Sequence, residues 1–240
     1  MTTWSIVRLS MALAITAAIL TQLTASVTTT IELGRDMATV VANFFSFFTI
    51  LSNVIAAVAL GWAAAAQLRR PGPSESALGA MSLALACATT YMLITGIVYN
   101  VLLRGISLDQ GSRPVPWSNE VLHLIGPLFM LVDLLLGISR RHLPRRSIWL
   151  IIAFPIVWTI YTLIRGPLVT NPASGDTWWY PYPFLNPHAP GGWPSVMAYV
   201  AAISVAFLAV GAFVVWVGNR RVREKDRVDA TAEVTSHPDR

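Results

Sequence analysis

The apolar residues of this chain are gathered into blocks of about 20 or more, the length an α-helix needs to cross a bilayer. Six such blocks can be read, near 5–27, 38–66, 77–103, 118–138, 148–169 and 195–217. Charged residues make up only 12% of the 240, where a soluble domain would carry about a quarter. The expected architecture is all-α: a polytopic membrane bundle of six transmembrane helices over 1–218. A polar, basic tail, 219–240, is too poor in apolar residues to order itself and is expected to be disordered. The first block has an Arg8-bearing start, as a cleavable signal would. It runs on past Thr21 and Gln22 without a small-x-small site, so it reads as a retained helix.

Charge sets the expected orientation. Arg69, Arg70, Arg140, Arg141, Arg145 and Arg146 fall in alternate loops, and Arg220, Arg221, Arg223, Lys225 and Arg227 follow the last block. The opposite loops hold Arg35, Arg104 and Arg113, partly offset by Glu32, Asp36 and Asp109. Basic loops stay on the cytoplasmic side, so both termini are expected inside. The net charge of +5 thus reads as topology and not as a nucleic-acid surface. The single cysteine, Cys87, lies in mid-span; it excludes a disulfide within the chain and reads as a packing residue.

Polar residues inside such blocks are costly, so each needs a reason. The stretch Phe44–Asn53, FFSFFTILSN, threads Ser46, Thr49 and Asn53 at helical steps of three and four, on one face. That file either glues helices together or lines a site. Counting from the basic-loop end at about 1.5 Å per residue, Gln22, Thr49, Thr95, His123, Tyr161 and Arg165 all fall roughly 21–27 Å deep. Asn119, His123, Gly126, Met130 and Asp133 form one stripe of the fourth helix, with Asp133 about 15 Å beyond His123 and out of its reach. His123 leans toward Asn119 and Glu120, either of which could hold one ring nitrogen and leave the other as a base. It could equally be a bonded bundle histidine.

A hydroxyl and an imidazole in a water-poor pocket suffice for nucleophilic acyl transfer, with Thr49 and Ser46 both candidate nucleophiles. Glu120-x-x-His123 resembles half of a helical metal site, but His142, His188 and His237 fall in loops or the tail, so no metal is expected. No other cofactor is called for. The loop Asn171–Pro194, NPASGDTWWYPYPFLNPHAPGGWP, has six aromatics and six prolines and is too stiff for a linker. It is either an interfacial belt or a lid over a cavity.

Three segments occur in one order: FFTILSN; PWSNEVLHLIGPLFMLVD, with Trp-x-Asn-x-x-x-His, then Pro and an acidic residue; and a tryptophan-bearing fifth block followed by WYPYPFL. In these the chain resembles the androgen-induced protein and its androgen-dependent tissue-factor-inhibitor-regulating relative, a family of membrane threonine hydrolases with bacterial six-span members. The resemblance runs from the second block to the start of the last. It implies cleavage of fatty acid esters of hydroxy fatty acids, with Thr49 as nucleophile and His123 as its partner, and a place in a bacterial plasma membrane. Asn119 matches an asparagine one turn before the family's histidine. Where the eukaryotic pattern has an acidic residue three after the threonine, this chain has Ser52 and then Asn53.

The leading expectation is a lipid-ester hydrolase whose acyl chain enters laterally. Asn53, Asn119 or Tyr161 would donate to the oxyanion, and Arg165 would hold a substrate carboxylate. Ser46 and Thr95 would support the pocket. The alternative is a lipid-binding or transport protein that uses the same cavity without chemistry. Partners on either reading are a fatty-acyl substrate and membrane lipids.

Overall fold

The structure, a computed structural model, describes residues 3–68, 72, 74–106, 108, 112–136 and 140–236. Arg69, Arg70 and Asp109, which enter the charge argument, and the last residues of the tail (237–240) lie outside these. The fold is all-helical, with no strand among the described residues. In order run α1 (Thr3–Glu32), α2 (Met37–Phe44), α3 (Phe48–Leu68), α4 (Glu75–Val98), α5 (Pro116–Glu120), α6 (Gly126–Leu136), α7 (Ser147–Arg165) and α8 (Gly192–Ser236). Six helical stretches are long and apolar enough to cross a membrane, at the places the apolar blocks indicate.

α4 is central and touches α3, α6, α7 and α8, while α1 lies along α3. The helices present small side chains to each other and large ones outward. Ala12, Ala18, Ala56, Ala59 and Ala63 are buried, whereas Leu13, Val58, Trp149, Ile164 and Val205 are 62–70% exposed. In water that would be inverted; against lipid tails it is the expected sorting, because close backbone approach supplies the attraction between membrane helices. Hydroxyls inside the spans bond back to their own helix, as Thr16 does to the Ala12 carbonyl, Thr89 to Leu85 and Thr90 to Ala86.

At the basic-loop end, Asp133 of α6 accepts from Arg8 Nε (2.6 Å), Arg140 Nη2 (3.0 Å) and Trp4 Nε1 (2.8 Å). Arg8, Asp133 and Arg140 are buried and Trp4 partly so, which makes Asp133 an ion-paired tie between α1 and the segment after α6.

Two features differ from the sequence reading. The second block is not one helix over 38–66: the chain breaks at 45–47, between α2 and α3. The last helix does not end near 217 but is continuous over Gly192–Ser236. Glu224 bridges Arg220 and Arg221 at helical spacings there, and such pairs support a helix that has no apolar face to bury.

The orientation expected from the arginines has a direct check. In a chain without Cys87, single cysteines near Arg141 or in the tail should be shielded from an impermeant thiol reagent in intact cells. One near Trp179 should react. Labelling near Arg141 from outside would overturn the assignment.

Candidate active site

The break before α3 shapes the site. Because α3 begins at Phe48, Thr49 sits in its first turn, where an amide has no intrahelical acceptor. The Thr49 N–H donates instead to the Tyr182 hydroxyl at 3.2 Å. Ser46 falls within the break: its hydroxyl donates to the Ala42 carbonyl and lies 3.0 Å from Tyr161 OH, and its carbonyl accepts from Trp158 Nε1 at 3.0 Å. Ser46 therefore serves the α2–α7 contact and leaves the file with Thr49 and Asn53 that a continuous helix would make.

His123 owes its position to Pro127. In a regular helix residue 127 would donate to the His123 carbonyl; proline has no N–H, and its ring clashes with that carbonyl. The chain answers with one wide π turn over Val121–Ile125, closed by the Gly126 N–H on the Val121 carbonyl. Two asparagines take the carbonyls released there. Asn100 Nδ2 donates to His123 O at 3.1 Å and Asn53 Nδ2 to Leu122 O at 3.1 Å. Asn100 itself sits in a second π turn, Tyr99–Leu103, on the facing helix. The two helices approach closely because position 96 is glycine: a Cβ there would lie 2.9 Å from Pro127 Cβ. Wide turns of this kind gather at functional sites.

The two residues singled out as nucleophile and base meet. Thr49 Oγ1 lies 3.3 Å from His123 Nε2, with both side chains buried. His123 Nδ1 lies 2.9 Å from the Asn119 backbone carbonyl. A carbonyl only accepts, so Nδ1 carries the proton and Nε2 presents a bare lone pair to the threonine. The Asn119 contribution is thus its main chain. Its side chain donates to Tyr99 OH at 2.7 Å, and the Tyr99 ring stacks on the imidazole at 3.7 Å. Glu120 is engaged by Arg104 at 3.1 Å, away from the ring. Among the described residues no three His, Cys, Asp or Glu side chains come together.

Two cavities meet at Thr49. The larger, about 440 Å³, is lined by Thr49, Thr95, Tyr99, Thr159, Tyr182, Ser204 and apolar residues, mostly of α4, α7 and α8. Among the described residues no charged side chain lines it. Exposed Ile156 and Ile160 of α7 and Met197 and Leu208 of α8 are part of its wall, so it opens sideways between those helices. The smaller, about 20 Å³, is bounded by Gln22, Thr49, Asn119 and His123 among others. That is room for one water molecule among polar groups. Thr95 reaches the dyad through Ser52: Thr95 Oγ1 lies 2.9 Å from the Ser52 hydroxyl, which donates to the Thr49 carbonyl.

The other expected helpers stand elsewhere. Asn53 is used up on the Thr49 and Leu122 carbonyls. Tyr161 OH is on Ser46. Arg165 donates to Asn43 Oδ1 at 2.8 Å and lies over the Trp179 ring, and it does not line the large cavity. The aromatic loop is folded into the bundle. Trp179, Tyr182 and Leu185 are buried, the Trp179 main-chain N–H donates to the Gly166 carbonyl, and a Cβ at Gly166 would run into the Tyr180 ring. This segment is a fixed wall of the cavity, which neither a surface belt nor a loose lid would be.

Tyr99, Asn100 and Tyr182 were not legible as site residues. A proline four after a mid-span histidine is a signal for Asn100 alone, through the His123 carbonyl it must release. Matched against protein-family models, curated proteins and solved structures, the chain finds no counterpart in any of the three.

Proposed function

We propose that this protein is an integral membrane hydrolase of lipid esters, with Thr49 as nucleophile and His123 as base. The observation that carries the reading is the ordered pair: Nδ1 bonded to a carbonyl, Nε2 turned to Thr49 Oγ1 at 3.3 Å, beside a long apolar cavity. Dyads in empty sites are commonly this loose and tighten around substrate. Thr49 Oγ attacks the ester carbonyl as its proton passes to Nε2. The tetrahedral adduct collapses, the carbon–oxygen bond to the alcohol breaks, and His123 returns the proton to the leaving oxygen. Water entering by the small cavity then attacks the acyl-threonine, His123 taking and returning one proton, to release the carboxylic acid.

An uncharged wall suits the hydrocarbon of an acyl chain, which would slide in from the bilayer between α7 and α8. Fatty acid esters of hydroxy fatty acids, the substrates implied by the family resemblance, fit if their free carboxylate stays at the mouth, since no cation among the described residues lines the interior. A long-chain alkyl fluorophosphonate should phosphonylate Thr49, identified by mass spectrometry of the labelled peptide. A folded protein whose Thr49 stays unmodified would leave the cavity as a lipid-binding site without chemistry.

A further inference from the structure

A second polar group stands at the reacting oxygen: Tyr182 OH lies 3.3 Å from Thr49 Oγ1 and 3.2 Å from the Thr49 amide nitrogen. The direction of every proton in this chain follows from one end. The Asn119 carbonyl fixes the proton on Nδ1, so Nε2 can only accept, and the Thr49 hydroxyl gives its proton to Nε2. Thr49 Oγ1 is then an acceptor toward Tyr182. The tyrosine oxygen already accepts from the Thr49 N–H, so its own proton points at Oγ1. Tyr182 is 5% exposed, and its ring is wedged edge-on against Phe47 and flat against Phe184, with Trp158 beside it.

We propose that Tyr182 is a catalytic residue, its hydroxyl stabilising the oxyanion of the acyl-transfer step while the Thr49 main-chain N–H, bonded to the tyrosine oxygen, holds that donor in place. The inference rests on Thr49 being the nucleophile. When Oγ bonds to the ester carbon and its proton passes to Nε2, the carbonyl electron pair moves onto the neighbouring oxygen. The Tyr182 proton then turns from Oγ1, now a weak ether-type acceptor, to the oxyanion beside it, the stronger acceptor. A donor held by packed rings needs no reorganisation to act, which is what makes such groups effective in a water-poor site. Burial pushes the Tyr182 hydroxyl above its ordinary range, so it keeps the proton it must offer. The consequence for the loop is that it supplies chemistry as well as a wall.

Tyr182→Phe keeps the ring and deletes the donor. With p-nitrophenyl decanoate in detergent, kcat should fall by about 10²–10³-fold, with KM within about threefold. Phosphonylation of Thr49 should slow by a similar factor. Tyr180→Phe, a hydroxyl deletion in the same loop, should keep the wild-type rate, and melting temperature and tryptophan fluorescence should match for all three proteins. Wild-type labelling of Thr49 with an unchanged or faster Tyr182→Phe rate overturns the role of Tyr182 and leaves the hydrolase reading standing. A loss shared by Tyr180→Phe, or one that appears only in KM, overturns it too, as a defect of loop packing. No labelling or turnover by the wild type removes both conclusions together.

Discussion

Thr49→Ala should abolish ester turnover, with kcat/KM down on the order of 10⁴-fold or more, because no other oxygen replaces the nucleophile. His123→Ala should cost nearly as much. The double variant should be hardly worse than either, since residues acting as one unit do not add their effects. Non-additivity is the informative part, because two separate packing defects would multiply. Thr49→Ser keeps a hydroxyl at Oγ and should retain measurable turnover. Ser46→Ala should be mild, because that hydroxyl serves the Ala42 carbonyl and Tyr161. Equal hydrolysis by wild type and a folded Thr49→Ala protein would sink the catalytic assignment.

The largest loss of stability is expected at the opposite end of the bundle. Asp133→Asn removes the one carboxylate that Arg8 and Arg140 share, leaving buried guanidinium groups facing each other. Breaking a buried charge pair in this way costs about 3–5 kcal/mol, a fall in melting temperature of roughly 10 °C for a chain of this size. Removing the whole set should be far gentler. Arg8→Met/Asp133→Leu/Arg140→Met leaves no charge to compensate and should recover most of the loss. Wild-type melting by Asp133→Asn in detergent would show that the cluster contributes nothing. Turnover by the folded fraction of Asp133→Asn should be unchanged, as the carboxylate lies well away from the dyad.

The fold was legible because its cause is local: apolar blocks of spanning length leave a chain few alternatives. Part of the site was legible for a similar reason. Depth along a straight helix is a count of residues, and the count brought Gln22, Thr49 and His123 to one level, where they line one small cavity. What escaped depends on partners far apart in sequence. No glycine or proline marks the break at 45–47; the Trp158 indole and the Tyr182 hydroxyl take the backbone groups it frees. Tyr182 lies in a loop, where periodicity says nothing about direction. The single face drawn through Ser46, Thr49 and Asn53 failed at that break. The continuation of the last helix past 217 was not legible because low hydrophobicity was read without the Arg–Glu spacing at 220–224.

The π turn at His123 has a bearing on how relatives of this protein are to be found. Such a turn is an α-helix with one residue in surplus. Deleting Leu124 or Ile125 would remove that surplus and rotate everything before it by about 100° relative to α6, carrying His123 and Asn119 together away from Thr49. On the proposed chemistry the surplus is a mark of spacing and not of residue identity. A chain that shares no recognisable stretch with this one can be screened for a mid-span histidine, a proline four places later, and an amide side chain on a neighbouring span to cap the stranded carbonyl.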